Sequence, residues 1–229
     1  MFIGHFAIGF AAKTAAPRVS LGTLFLAAQF IDLLWPTFLL MGLERVRIEP
    51  GATVVTPLVF EHYPWSHSLL AVLGWAALLA GLHFLLRRDR RSALILAGLV
   101  LSHWLLDLLV HRPDLPLWPW GGSVLGLRLW SSLTLTLALE VPLFMLGVWL
   151  YSRSTRPLDR TGRWGWWAWC FSSSWSMPAM CWAVRRPASR PSPGSASCSG
   201  CWCSGATGWT GTGVPWCRTD TRRVGKLVP

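Results

Sequence analysis

Four long apolar stretches constrain this chain more than any other feature of its sequence. They occupy residues 21–43, 66–86, 92–111 and 131–151. A helix needs about 20 mostly apolar residues to cross a hydrocarbon layer that is about 30 Å thick. A shorter apolar segment, FIGHFAIGFAA, covers residues 2–12, and we expect it to cross only in part. The pattern predicts an all-α, polytopic membrane bundle of about five helices.

The composition argues against an ordinary soluble domain. Hydrophobic residues make up 52% of the chain and charged residues only 14%, whereas soluble domains contain about 25% charged residues. The first residues lack the basic segment and the cleavage site of a secretory signal. We therefore expect the apolar segments to be retained as membrane helices.

Basic residues predict how the bundle is oriented, because loops on the cytoplasmic side carry an excess of Lys and Arg. If the first helix runs from outside to inside, ten basic residues fall inside: Lys13, Arg18, Arg87, Arg88, Arg90, Arg91, Arg153, Arg156, Arg160 and Arg163. Four fall outside: Arg45, Arg47, Arg112 and Arg128. The assignment is consistent, and it puts the ionisable residues of the helices near the outer side.

Those ionisable residues should lie at about one level of the bundle. They are His5, Asp32, His62, His67, His103, Asp107 and His111. Charged side chains inside a membrane are costly, and they mark sites or ion pathways. Residues of a pathway should be spread along the membrane normal, so the single level favours a shared site.

The stretch LSHWLLDLLVH places His103, Asp107 and His111 four residues apart, on one helix face. Imidazole nitrogens and carboxylate oxygens suit zinc best and also manganese or iron. The segment EHYPWSHS adds His62 and His67, and Ser66 or Ser68 could cap the helix that follows. The predicted metal ligands are His5, Asp32, His62, His67, His103 and Asp107.

Other assignments stay open at this stage. His83 fits a structural histidine, His111 fits either an interfacial residue or a ligand, and Glu140 fits either a supporting carboxylate or an arginine partner. Two rival functions also remain: an intramembrane ion or proton relay, and a non-catalytic scaffold with a structural metal. A closed shell of four ligands would indicate the scaffold, and an open position would indicate catalysis.

The ordered motifs GH (4–5), QFID (29–32), HYPWSHS (62–68) and SHWLLD (102–107) resemble those of the YdjM-type membrane-bound metal-dependent hydrolases. These are bacterial inner-membrane proteins also described as LexA-binding. The resemblance covers about residues 1–155 and implies the same six ligands. QFIDLLWP lacks the second Asp of the usual L-P-D-x-D form. The order of His and Asp is also similar to that of the all-helical zinc-dependent phospholipases C.

A metal-dependent hydrolase needs a nucleophilic water, and a metal lowers the pKa of its water from about 15.7 to about 7. Asp32 or Asp107 could serve as the general base. A site near the outer membrane surface suits a lipid-like or phosphoester substrate. We expect membrane lipid as a partner and no nucleic acid.

The last part of the chain, residues 161–229, has a different character. It is rich in Trp, Ser, Arg and Cys and shows no helix or strand period. The sequence predicts an unstructured tail after a membrane domain of residues 1–160. We interpret the tail as a frameshift product, because permitted codons for FSSSW (171–175) encode four leucines in a shifted frame. On that interpretation CSGCWC (198–203) is not a metal or disulfide site.

Overall fold

The architecture is mostly helical in the computed structural model, which describes residues 1–156. The helices are α1 (Gly4–Ala15), α2 (Leu21–Ala28), α3 (Phe30–Leu40), α4 (Pro64–His67), α5 (Leu69–Arg87), α6 (Arg90–Val110) and α7 (Leu133–Ser154). Two small antiparallel hairpins join β1 (Arg45–Ile48) to β2 (Leu58–His62) and β3 (Leu115–Pro116) to β4 (Val124–Leu125). A short 3₁₀ helix, Leu129–Ser131, precedes α7.

Helices α5, α6 and α7 are each long and apolar enough to cross a membrane, and α2 with α3 is a fourth candidate if the bent pair is one span. Many leucines on these helices are exposed. Such apolar surface is not stable in water but suits a lipid environment. The membrane character predicted from the sequence is therefore supported, whereas the count of five membrane helices remains a prediction.

Helix α6 lies at the centre of the described bundle and packs on α1, α2, α3 and α5. Its buried residues include Leu96, Val100, His103 and Asp107. A tight turn joins α5 to α6, because Arg88 adopts a left-handed conformation (φ 55°) and Asp89 caps α6 through the backbone N–H of Ser92. The central position of α6 explains why its polar face is enclosed by protein.

A break at Gln29 separates α2 from α3, and the two axes differ by 55°. Pro36 lies inside α3, so the carbonyl group four residues earlier receives no helical hydrogen bond from it. Irregular backbone within a membrane bundle is tolerated only where protein or a cavity satisfies its polar groups. This break lies beside the buried polar face of α6.

The described residues 1–156 fall within one unit of the fold. The predicted tail, its cysteines and the predicted boundary at residue 160 lie outside the described residues.

Candidate metal centre

Five of the six predicted ligands come together at one end of the bundle. They form two groups that share His103: His5 with His103 and Asp107, and Asp32 with His67 and His103. Within each group the candidate ligand atoms lie within 4.8 Å of one another. Buried histidine and carboxylate groups of this kind could hold a metal ion, as the sequence predicted in general terms.

Asp107 lies in the middle of the cluster and uses both carboxylate oxygens. Its Oδ1 lies 3.2 Å from Nε2 of His5, and its Oδ2 lies 3.1 Å from Nε2 of His103. Asp32 Oδ1 lies 3.4 Å from Nε2 of His103 and 3.7 Å from Nε2 of His67. Zinc–nitrogen bonds of about 2.0 Å imply ligand atoms about 3.3 Å apart in a tetrahedral shell. The spacing within each group therefore fits a small cation.

The helix break orients His103. Its Nδ1 lies 2.8 Å from the carbonyl oxygen of Ala28, the last residue of α2. In a continuous helix the Ala28 carbonyl would accept a hydrogen bond from the backbone N–H four residues later. The break at Gln29 makes this carbonyl available to α6 instead. Because a carbonyl oxygen only accepts, Nδ1 of His103 must donate.

The orientation leaves Nε2 of His103 facing two acids. In the neutral ring Nε2 then carries a lone pair, and this buried atom has no well-formed hydrogen bond to any group in residues 1–156. A lone pair that points at two carboxylate oxygens is repelled by them. Either a second proton on the ring or a cation among these three atoms removes the repulsion. The donor set is therefore compatible with a metal among these atoms or with a protonated His103 ring.

His67 is oriented by two residues from outside the cluster. Its Nδ1 lies 2.7 Å from the hydroxyl oxygen of Ser66. That hydroxyl lies 2.8 Å and 3.0 Å from the two oxygens of Glu44, and the Ser66 backbone N–H donates to Glu44 at 2.7 Å. The Ser66 hydroxyl therefore donates to Glu44 and accepts from Nδ1, so Nε2 of His67 directs its lone pair at the cluster. All three residues are buried, and burial lowers the pKa of His67, which favours the neutral ring.

Within residues 1–156, Glu140 contacts the start of α1, next to His5, and pairs with no arginine. Its Oε2 accepts hydrogen bonds from the backbone N–H groups of Phe2 and Ile3, at 3.0 Å and 2.9 Å. These groups precede the first turn of α1, so a carboxylate there is favoured by the helix dipole. The contact ties the start of α1, and hence His5, to α7. The α-amino group of Met1 also contacts Asp107.

His62 does not reach the cluster. It is the last residue of β2, is exposed, and pairs in register with Arg45. His111 instead approaches from the end of α6, with its ring centroid 6.4 Å from that of His67. His111 Nδ1 lies 3.1 Å from Asp114, whose Oδ1 also accepts from the Tyr63 hydroxyl at 3.0 Å. Burial, followed by the Asp114 carboxylate, raises the pKa of Tyr63 well above its ordinary value, so this hydroxyl remains a donor.

A cavity of about 270 Å³ opens onto the cluster. Asp32, His67, Asp107 and His111 form its polar part. Its remaining wall is mostly apolar and includes Phe2, Trp35, Pro36, Leu58, Phe60 and Trp130. The Asp32 side chain is 45% exposed and the Asp107 side chain only 2%. Both carboxylates line the cavity, but that of Asp32 is far more exposed than that of Asp107.

Glu44 and Ser66 also belong to this site, although no sequence pattern indicated them. Ser66 and Ser68 were both possible helix caps in the sequence, and Ser68 alone caps α5, through the N–H of Ala71. Glu44 lies in a loop without any recognisable spacing from the histidines. The available signal was a serine directly before a predicted histidine ligand.

No protein-family model, curated protein or solved structure matches this chain.

Proposed function

We propose that this chain is a metal-dependent hydrolase of a bacterial inner membrane, with zinc as its ion and a phosphoester or lipid-like molecule as its substrate. The family resemblance to YdjM-type proteins belongs to the same proposal. One observation carries it: His5, Asp32, His67, His103 and Asp107 converge from four helices on the inner end of a cavity.

The unequal exposure of the two acids supports catalysis over a purely structural metal. Structural zinc sites are closed by four protein ligands, whereas catalytic sites keep one position open. Both acids line the cavity, but the Asp107 side chain is nearly buried against His5 and His103, whereas the Asp32 side chain is largely exposed. We assign Asp107 to metal binding, and Asp32 to metal binding or to proton abstraction from water.

The metal would polarise a phosphoryl or acyl oxygen and acidify a water near it. The other groups have roles that follow from their positions. The Ala28 carbonyl fixes which nitrogen His103 presents to the cluster, and Ser66 with Glu44 fixes which nitrogen His67 presents. The aromatic wall formed by Phe60 and Trp130 limits water and favours the apolar part of an amphiphile. Asp32 lies between this wall and the histidines, where its carboxylate could accept a proton.

A proton or ion relay is the second candidate. The short contacts that link Asp107, His103 and Asp32 favour it, because adjacent acids and histidines can pass protons without a metal. In that case Asp107, His103 and Asp32 would exchange protons along their short contacts. The measurement that separates the two candidates is the metal content of the protein.

The first experiment compares the metal content of detergent-purified wild type with that of His103→Ala and Asp107→Ala. His83→Ala is the control, since His83 lies near the other end of α5, away from the cluster. We expect stoichiometric zinc, manganese or iron in wild type and in the control, and its loss in both cluster variants. A folded wild type without metal would support the relay instead.

A further inference from the structure

A second pocket lies at the opposite end of the bundle from the candidate metal centre. It has a volume of about 850 Å³ and lies between the start of α2 and the turn that joins α5 to α6. Its basic residues are His83, Arg18, Arg87, Arg88, Arg90 and Arg91. Neither the proposed hydrolysis nor any ligand of the metal cluster involves this pocket.

The positive charge in this pocket is only partly offset within the described part of the chain. Its one acid, Asp89, is engaged by Ser92, whose hydroxyl and N–H both donate to it. None of the five arginines forms an ion pair with an acid in residues 1–156, whereas Arg47 and Arg112 near the other end do. Within residues 1–156, five guanidinium groups around one cavity therefore form no ion pair.

Two of these arginines contact the same aromatic ring. The guanidinium carbons of Arg88 and Arg90 lie 5.9 Å and 5.8 Å from the centroid of the same ring, that of Phe84. Arg88 has the left-handed backbone conformation that non-glycine residues rarely adopt. Guanidinium groups match the oxygens of a phosphate, so several of them around one cavity suit an anion of this kind.

The pocket also lies at the depth at which lipid phosphates occur. Helix α5 ends at Arg87 and α6 begins at Arg90, so the turn between these two membrane-length helices marks one boundary of the apolar region. Next to the turn, Leu85, Leu86 and Leu94 are 63%, 72% and 72% exposed. Acyl chains could contact these leucines while a head group reaches the arginines.

We propose that this basic pocket binds a phosphate group, and that an anionic phospholipid is the source that the adjacent leucines favour. A free phosphate has the same charged chemistry but no part that would contact the leucines. The pocket would then anchor one lipid at the end of the protein remote from the candidate metal centre.

The test measures binding of a fluorescent phosphatidylglycerol to the purified full-length chain in neutral detergent. The pocket variant is Arg88→Gln with Arg90→Gln. The matched control is Arg153→Gln with Arg156→Gln, which removes the same charge from α7 and the segment just after it, outside the pocket. From about fivefold per arginine near an anionic lipid, we expect roughly 25-fold weaker binding in the pocket variant. The control should lose less than about threefold.

Competition then identifies the source of the phosphate. Displacement by unlabelled phosphatidylglycerol, but not by inorganic phosphate or by phosphatidylcholine, supports the lipid. Displacement by millimolar inorganic phosphate supports a soluble phosphate compound. Equal losses in the two double variants, or no saturable binding, would overturn the proposal. An unchanged thermal transition and metal content would verify that the pocket variant is folded.

Discussion

At the scale of single residues, Ser66 determines which nitrogen His67 presents to the cluster. Its hydroxyl is shared between Glu44 and Nδ1 of His67, at distances of 2.7–3.0 Å. Residues that orient a metal ligand typically change metal affinity by about 10- to 100-fold when removed. The side chain is fully buried, so the link is shielded from competing water.

We therefore expect Ser66→Ala to weaken metal binding by about 10- to 100-fold. The alanine leaves Nδ1 of His67 without its partner and lets the ring rotate. Competition with a chelator of known affinity measures the change. Ser68→Ala is the matched control, because Ser68 caps α5 and does not contact His67 through its hydroxyl. Equal affinities of Ser66→Ala and wild type would show that the hydroxyl does not orient the ligand.

The two aspartates should respond differently to the same change. Asp107 contacts both His5 and His103 and its side chain is nearly buried, whereas the Asp32 side chain is largely exposed. We expect the Asp107→Asn protein to lose most of its bound metal and the Asp32→Asn protein to keep most of it. If Asp32 is the general base, its variant should lose about 10²- to 10⁴-fold in hydrolysis rate. Equal metal loss in the two variants would instead assign Asp32 to ligation alone.

At the scale of helices, a close approach of α7 to α1 holds His5 in place. Gly147 of α7 lies against the backbone of Ala7, and a Cβ built there would be 2.4 Å from the Ala7 carbonyl oxygen. The Ala7 backbone cannot move aside for an added Cβ as a flexible side chain could. Only glycine therefore permits the present spacing, which also lets Glu140 reach the start of α1.

We expect Gly147→Ala to destabilise the protein by about 1–3 kcal/mol, as overpacking does. Gly98→Ala is the matched control, because no atom lies within 4 Å of a Cβ at that position of α6. There the better helix propensity of alanine should leave stability unchanged or raise it slightly. Thermal unfolding in detergent compares the two variants. A Gly147→Ala protein as stable as Gly98→Ala would contradict the packing argument.

At the scale of the whole molecule, metal binding should stabilise the bundle. The candidate ligands lie on α1, α3, α4 and α6, so an ion bound there cross-links elements that are distant in the sequence. A ligand that binds only the folded state at 100 times its Kd adds about 2.7 kcal/mol. The cluster would thus contribute to folding as well as to chemistry.

We expect a strong chelator to lower the Tm of the metal-loaded wild type by about 5–10 °C, from that free energy and the usual size scaling. His103→Ala should start at a lower Tm and respond little to the chelator. The comparison is made in one detergent and at one protein concentration. A wild-type Tm that the chelator does not change would argue against a metal that spans these helices.

The sequence alone determined what depends on neighbours along the chain. Hydropathy marked the long helices, and the spacing of His103 and Asp107 put them on one face of α6, since helical periodicity is a local property. The predicted all-α class agrees with the mostly helical residues 1–156. The order of motifs also indicated which helices would supply His5, Asp32 and His67.

Only the tertiary structure decided which polar residues meet. His62 and His67 are equally attractive in the sequence, but the β1–β2 hairpin leaves His62 exposed while α4 turns His67 inward. The role of Ala28 requires a helix break whose carbonyl finds a partner on α6. Glu44 reaches Ser66 from a loop 22 residues away. Such contacts depend on chain direction in loops and on packing between helices, and no local sequence pattern encodes either.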